Sequence, residues 1–296
     1  MLVKHLQHKE IEYARWDKYI LESKNQLTYA FTWYLDIVSP NWEALVTEDY
    51  EYIMPLPVKH RYGLPYLVQP ILTQQLGIFS KQLIDENVVQ HFIKELPSFS
   101  YELNLNEQNF HSNAVAFPNY ILNLNQPYEK IASYYSKNTQ RNIDKSTKLK
   151  LNVKIGIQQD VFLSFYYSVN KNFISAQQSV VKELIEKGIA ENAMTLYGVY
   201  SSENNLIAAL CIMYSTHRIT YLLPISNSEG KATSAMFLLI DKLIHEKAGC
   251  NCILDFEGSS IEGIARFYKG FGAKNQPYYI LKQFRPSFLI RKPSKK

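Results

Sequence analysis

The stretch LDFEGSSIEGIARFYKGFGAKNQPYYIL, residues 254–281, decides the fold, because it asks for a strand, a short helix and another strand in close succession. Its apolar start meets two acids, Asp255 and Glu257, and turns through Gly258-Ser259-Ser260. Ile264, Phe267 and Phe271 then recur at helical spacing and predict a helix with one apolar face. Gly270 and Gly272 end that helix, and QPYYILKQ resumes as extended chain.

Working outward, KATSAMFLLIDKLIHEKAG reads as an amphipathic helix closing at Gly249 and feeding the buried strand NCILDFEG. Before it stand three strand-like runs, MTLYGVYS, IAALCIMYS and RITYLLPIS, the first turn falling at Ser-Glu-Asn-Asn 202–205. QPYEKIASYYSKNTQRNIDKSTKLKL predicts one helix, followed by extended LNVKIG and helices in QQDVFLSFYYSVNKNF and QSVVKELIEKGIAEN. The first half predicts two helices within residues 9–38, a hairpin in WEALVTEDYEYIMPLPV, an extended PYLVQPILTQQLGIF, a helix capped by Asp85, and strands FSYELNLN and FPNYILNL. Both halves thus share an order of helices, a meander, a crossover helix and further strands, with no residue-level repeat.

With 296 residues, 46% hydrophobic and 20% charged, the chain is long enough for two domains and too apolar for a disordered one. No stretch has the length of a signal-peptide core or membrane span, LIAALCIMY being about half of one, so a cytoplasmic protein is expected. Cys211, Cys250 and Cys252 are read as buried reduced thiols, and no zinc set is completed, so no metal is expected.

The net charge of +5 is local. The last fifteen residues, KQFRPSFLIRKPSKK, hold six cations and no acid, leaving 26 cations against 27 acids in residues 1–281. Residues 137–154 carry six cations against one acid, with Lys137, Arg141, Lys145 and Lys148 on one helix face. Such a face serves either as a solvated surface or as a surface for phosphates or nucleic acid.

At the end of RITYLLPIS, Asn227-Ser-Glu-Gly230-Lys-Ala232 places small residues at a helix start, where backbone N–H groups and the helix dipole favour an anion. This segment resembles the Q/R-x-x-G-x-G/A acyl-CoA loop of the GNAT acyltransferases, and ARFYKGFGA at 265–273 resembles their A-I-R-F-Y-E-K-L-G-F segment. The pattern, together with the basic helix, looks closest to the branch with two tandem GNAT-like domains, which contains the Fem-type aminoacyltransferases and the BioF-like acetyltransferases. Asn227 stands where the family carries Gln or Arg, and Ile261 where many members carry Asn.

The resemblance implies an α/β (α+β) fold of two tandem GNAT-like domains, with mixed, mostly antiparallel sheets flanked by helices. Residues 1–125 would form a degenerate N-terminal domain and 126–296 the domain with the donor motifs and basic tail. It also implies an acyl-CoA donor held by Asn227, Gly230, Lys231, Ala232 and Thr233. Tyr268 lies where the family places the tyrosine that protonates the departing thiolate; the same residue also reads as aromatic core.

Attack of an amine on a thioester needs a proton acceptor, an N–H donor for the oxyanion and a stabilised leaving group. Glu257, at the strand end, fits the acceptor, and equally reads as a carboxylate capping the next helix. Asp255 has the parity to share its face and contact substrate. Lys59, Arg61 and Tyr62, in VKHRYGLPY, are candidates for the acceptor side or simply an exposed hairpin end. No Cys or Ser stands in a nucleophile elbow, so direct transfer to a small-molecule or peptide amine bound between the domains is expected. Two alternatives stand beside it. One is a Fem-type aminoacyltransferase using aminoacyl-tRNA and a cell-wall peptide precursor, the tRNA docking on residues 137–154 and the tail. The other is a non-catalytic binding protein that keeps the fold.

Overall fold

A computed structural model describes residues 1–98, 100–170 and 175–284, without the side chains of residues 175 and 176. The basic tail therefore lies, beyond residue 284, outside the described residues. The chain runs β1 (Val3–Leu6), α1 (Tyr13–Glu22), α2 (Thr32–Val38), β2 (Glu43–Thr47), β3 (Tyr52–Leu56), β4 (Val58–Arg61), β5 (Leu64–Val68), β6 (Phe79–Ser80), α3 (Glu86–Lys94), β7 (Tyr101–Leu105), β8 (Val115–Phe117) and β9 (Tyr120–Asn123). It continues with α4 (Tyr128–Ala132), α5 (Lys137–Lys148), β10 (Asn152–Ile155), α6 (Gln159–Val169), α7 (Ser175–Ala190), β11 (Met194–Tyr200), β12 (Leu206–Tyr214) and β13 (Arg218–Ser226). Last come α8 (Ser228–Ala232), α9 (Ala235–Lys247), β14 (Ile253–Asp255), α10 (Glu262–Gly270), β15 (Lys274–Asn275) and β16 (Tyr278–Gln283).

Two compact units result: Met1–Phe117 with the segment from Pro277, and Pro118–Gln276. In the first, a four-stranded sheet ordered β1-β2-β3-β6 and a five-stranded sheet ordered β4-β5-β7-β16-β8 share one core. Leu45 and Met54 come from one sheet, Leu67 and Leu103 from the other, and Val89 and Phe92 from α3. Asp85 caps α3 as its sequence suggests, its carboxylate accepting from the Val88 N–H at 2.9 Å.

In the second unit one seven-stranded sheet runs β10-β11-β12-β13-β14-β9-β15. Its interior strand β12, LIAALCIMY, is buried along nearly its whole length. An uninterrupted apolar run suits such a strand, since α9 covers one face and α6 and α7 pack on the other. Leu239, Ile240, Leu243 and Ile244 of α9 pack with Leu210 and Ile212 in one core cluster.

The division expected at residues 125 and 126 differs from these units at both ends. β9 pairs with β14 and β15 in the second unit, whereas β16 inserts between β7 and β8 in the first. Two single-helix expectations also change. Residues 128–148 form α4 and α5, with Ser136 capping the latter through the Thr139 N–H. The 228–247 segment breaks into α8 and α9 at Ser234, whose φ is 61°. β1 has no sequence counterpart in the expectations.

Cys250 and Cys252 correct another expectation: they are joined as a disulfide, their Cα atoms 5.3 Å apart, while Cys211 is a buried free thiol. The backbone bends at Cys250 and Asn251 before β14 begins, which shortens the span between residues two apart and brings these sulfurs together. No helix among the described residues is long and apolar enough to cross a membrane.

Candidate active site

Among the described residues of the second unit the one parallel strand pair, β13 and β14, is registered from Arg218↔Ile253 to Thr220↔Asp255 and then diverges. β13 continues beside β12 as far as Ser226↔Ala208. Beyond Asp255 the chain stays with β9, the Phe256 N–H donating to the Tyr120 carbonyl at 2.9 Å and the Tyr120 N–H to the Glu257 carbonyl at 3.2 Å. An opening between two strand ends is the result. At its mouth β13 carries a bulge: Tyr221 faces Ile212 and Leu223 faces Cys211, which leaves Leu222 without a cross-strand partner. Such an extra residue takes its peptide out of the ladder and re-aims the backbone, and Pro224 has no N–H to offer further along.

Asp255 and Arg218 close the inner end of this opening as an ion pair, 2% and 8% exposed. The other carboxylate oxygen of Asp255 accepts the Glu257 N–H at 2.8 Å. A buried charge needs such partners to persist, so this carboxylate is engaged in holding the strand ends rather than turned to a substrate. Glu257, half-buried, takes a φ of 60°, a conformation that side-chain-bearing residues seldom adopt. The alternation that would place it beside Asp255 stops there. Its left-handed backbone is held by the Asp255 carboxylate on one side and Tyr120 on the other.

Aromatic side chains fill the opening's floor. The Tyr268 ring stacks on Phe256 at 4.8 Å, and Tyr221 meets both edge-on at 5.7 and 6.0 Å. Tyr268 is 7% exposed and belongs to the core cluster with Phe256 and Phe271. Burial pushes its phenol pKa up, and the negative charges of Glu257 and Asp255 push it further in the same direction. The Tyr221 phenol is raised chiefly by burial as well. Both phenols are thereby kept neutral.

The segment following β13 is built as a cap. Asn227 accepts the Gly230 N–H through Oδ1 at 2.8 Å, so that donor is already satisfied. Gly230 is buried because a Cβ there would lie 2.1 Å from the Ile207 carbonyl oxygen; β12 and α8 approach too closely for a side chain. Lys231 and Ala232 are exposed and Thr233 half-buried. Lys145 of α5 donates to the Ala232 carbonyl at 2.5 Å, and the Ser146 hydroxyl lies 2.9 Å from the carbonyls of Thr233 and Ser234. The same helix meets the second motif: the Ser136 N–H donates to the Gly270 carbonyl at 2.8 Å, and a Cβ at Gly270 would lie 2.5 Å from Thr139 Oγ1. α5 therefore clasps both motif segments with its inner face, while Lys137, Arg141 and Lys148 stay exposed on its outer one.

Between the end of β13, α6 and the α8–α9 junction lies a cleft of about 390 Å³, lined by Tyr221, Pro224, Ile225 and Met236 with Asn170 and Lys231 among its polar groups. It is the size of a small-molecule site, with apolar and polar groups in comparable share. Tyr221 joins it to the aromatic floor. Lys59, Arg61 and Tyr62 lie in the first unit, at the end of the β4–β5 hairpin, where Tyr62 and Gly63 both have positive φ. Tyr62 is 84% exposed and its ring receives the Arg61 guanidinium at 5.4 Å.

The sequence expectations did not single out Leu222, Arg218 or Phe256. Pro224 inside an apolar strand was the available signal, since proline within a sheet marks an edge or a bulge.

No family model matches the chain, and no curated protein matches it in sequence. Solved structures do match. A crystal structure of FemX aligns over 97% of this chain and 99% of its own, with a TM-score of 0.68 at 10% identity. L-PGS from Bacillus licheniformis aligns over 93% and 92%, with a TM-score of 0.57 at 10% identity. A tandem GNAT protein from the clavulanic acid biosynthesis pathway aligns over 94% and 97%, with a TM-score of 0.51 at 10% identity. At these identities the likeness is one of fold: the chain has a tandem GNAT-like fold.

Proposed function

We propose that this protein is an N-acyltransferase that carries an acyl group from a coenzyme A thioester to an amine, with the reaction centred where β13 and β14 part. The observation that carries this reading is the coincidence, at one opening, of the Leu222 bulge and the left-handed Glu257. The cleft, with its mixed apolar and polar lining, would take the thioester arm, with Lys231 towards its phosphates. The freed peptide at Leu222 would supply the N–H that an oxyanion requires.

In the transfer, the amine nitrogen bonds to the acyl carbon while the carbonyl electron pair moves onto oxygen. Glu257 accepts the amine proton, and collapse of the intermediate breaks the carbon–sulfur bond. A phenol with a raised pKa is a poor proton source, so Tyr268 would serve the departing thiolate as a hydrogen-bond donor, the proton itself coming from water. The test is a panel of acyl-CoA thioesters and amines assayed for free thiol and for the amide. Product that vanishes in Glu257→Gln supports the reading; no binding and no turnover with any thioester rejects this donor.

One observation favours aminoacyl-tRNA as donor instead. The Gly230 N–H, which a diphosphate would use, is occupied by Asn227, and α5 exposes Lys137, Arg141 and Lys148 beside the same segment. A polyanion along this row would bind with steep salt dependence, log affinity falling by about 0.7–0.9 per neutralised phosphate per decade of salt. The fold likeness to FemX agrees with this reading, as does the Fem-type resemblance of the motifs. Its acceptor would then be the amine of a cell-wall peptide precursor. Titration of aminoacylated tRNA at two salt concentrations separates the two donors.

A further inference from the structure

We infer that the Cys250–Cys252 disulfide is a thiol–disulfide exchange site for a small polar thiol. The two cysteines enclose one residue, Asn251, and the bond closes so short a loop that it restricts the unfolded chain little. A structural staple would gain more from distant partners. Both cysteines are half-buried, so the sulfurs are neither sealed in the core nor carried on a loose loop.

The backbone on either side is pinned. The Cys250 N–H donates to the Lys247 carbonyl at 3.1 Å, the Cys252 carbonyl accepts from the Leu124 N–H at 3.0 Å, and the Ile253 N–H donates to the His217 carbonyl at 3.0 Å. These bonds do not involve the sulfurs, so reduction leaves the two thiols facing each other and ready to reoxidise. A separate cavity of about 240 Å³ opens beside Cys252, walled by Asn123, Asn125, Asn251, His217 and Ile253. His217 is exposed, and its Nδ1 lies 3.1 Å from the Asn251 carbonyl. A carbonyl only accepts, so Nδ1 carries the proton and the ring is turned by that bond. The surface the cavity exposes is mostly carbon, with three asparagines and an imidazole among its walls, a mixture that suits a peptide-like thiol carrying both methylene and amide groups.

The exchange balances without any further reagent. An incoming thiolate attacks one sulfur, the Cys250–Cys252 bond breaks, and the other cysteine leaves as a thiolate that takes a proton from water. A second equivalent of thiol then releases the mixed disulfide, giving the protein dithiol and one small-molecule disulfide. The reverse sequence restores the bond. Neither step touches Glu257 or Tyr268, so the site is independent of the proposed acyl transfer.

The full chain, purified without reductant, is equilibrated with reduced and oxidised glutathione at graded ratios, quenched by alkylation and read by mass spectrometry. Interconversion of disulfide and dithiol across those ratios is expected, with a glutathione adduct trapped in Cys250→Ser or Cys252→Ser. Asn125 is exposed, so Asn125→Leu narrows the cavity without entering the core. It should slow exchange with glutathione about tenfold, the scale of one lost polar contact, while exchange with 2-mercaptoethanol stays within about twofold. Two free thiols that oxidised glutathione does not close, or a bond that reduced glutathione does not open, would overturn the inference. So would an Asn125→Leu variant that slows both thiols equally or neither.

Discussion

Among the described residues each unit has one parallel strand pair that separates, and the two separations are closed by different materials. In the first unit β5 and β7 pair through Leu67↔Tyr101 and Val68↔Glu102, after which the chain returns and adds backbone to β7. Leu76 bridges Leu105, its N–H donating to the Asn104 carbonyl at 2.8 Å, and the Asn106 N–H donates to the Leu76 carbonyl at 3.0 Å. Amides finish the seal: Asn109 accepts the Ile78 N–H at 2.5 Å, and Asn106 and Asn25 both donate to the Ile78 carbonyl. In the second unit the described residues place rings at the gap, those of Tyr221, Phe256 and Tyr268. A gap stitched by main chain and buried amides is committed to structure. One floored by rings keeps a cleft and a carboxylate at its edge.

The contrast can be broken most sharply at Asp255. Asp255→Ala removes the carboxylate paired with the buried Arg218 and should cost about 3–5 kcal/mol in urea unfolding. A loss below about 1 kcal/mol would mean that the ion pair does not hold the strand ends. Next in size is the chemistry: Glu257→Gln should lower kcat for amide formation by about 100-fold or more, with the circular dichroism spectrum unchanged. An unaffected kcat would move the proton acceptor elsewhere.

Gly77→Ala tests the first unit's closure. Gly77 has a φ of 92°, and a Cβ there would meet Asn109 Oδ1 at 2.2 Å. About 2 kcal/mol of destabilisation is expected, with faster amide exchange confined to the first unit. Exchange that accelerates equally in both units would erase the distinction between the closures.

The gentlest probe is alkaline pH. The Tyr268 phenol has a folded pKa above its unfolded one, so its contribution is present below about pH 10, where free tyrosine is neutral, and is lost as pH rises towards the folded value. Over that window stability should fall by up to about 1.4 kcal/mol per pH unit for each such group, and Tyr268→Phe should flatten the slope. An unchanged slope would remove Tyr268 from the titrating floor.

The contrast also explains what the amino-acid sequence could reveal. The meander β11–β13 was legible because its three runs are apolar and bounded by polar turns, and α3 because Asp85 announces it. Tyr268 and Glu257 were legible as positions, but their surroundings were not. The turn at Glu257 depends on the Asp255 carboxylate, and the neutrality of Tyr268 on burial against Phe256. Gly230 looked like room for an anion, whereas the space above it belongs to the Ile207 carbonyl. The two strands that each unit takes from across the sequence boundary, β9 and β16, carry no local mark of their destination. Their alternation says strand, and pairing partners far along the chain decide which sheet.

β16 has one more consequence, which concerns synthesis. Its residues, Tyr278–Gln283, fill an interior slot between β7 and β8, and β8 leaves the ribosome about 160 residues earlier. At ordinary elongation rates that is a wait of roughly 10–30 s, during which the amino-terminal five-stranded sheet has a missing rung and two unpaired flanks. The polypeptide's opening half is thus the later one to mature, and a chaperone that shields nascent strands would find its target there.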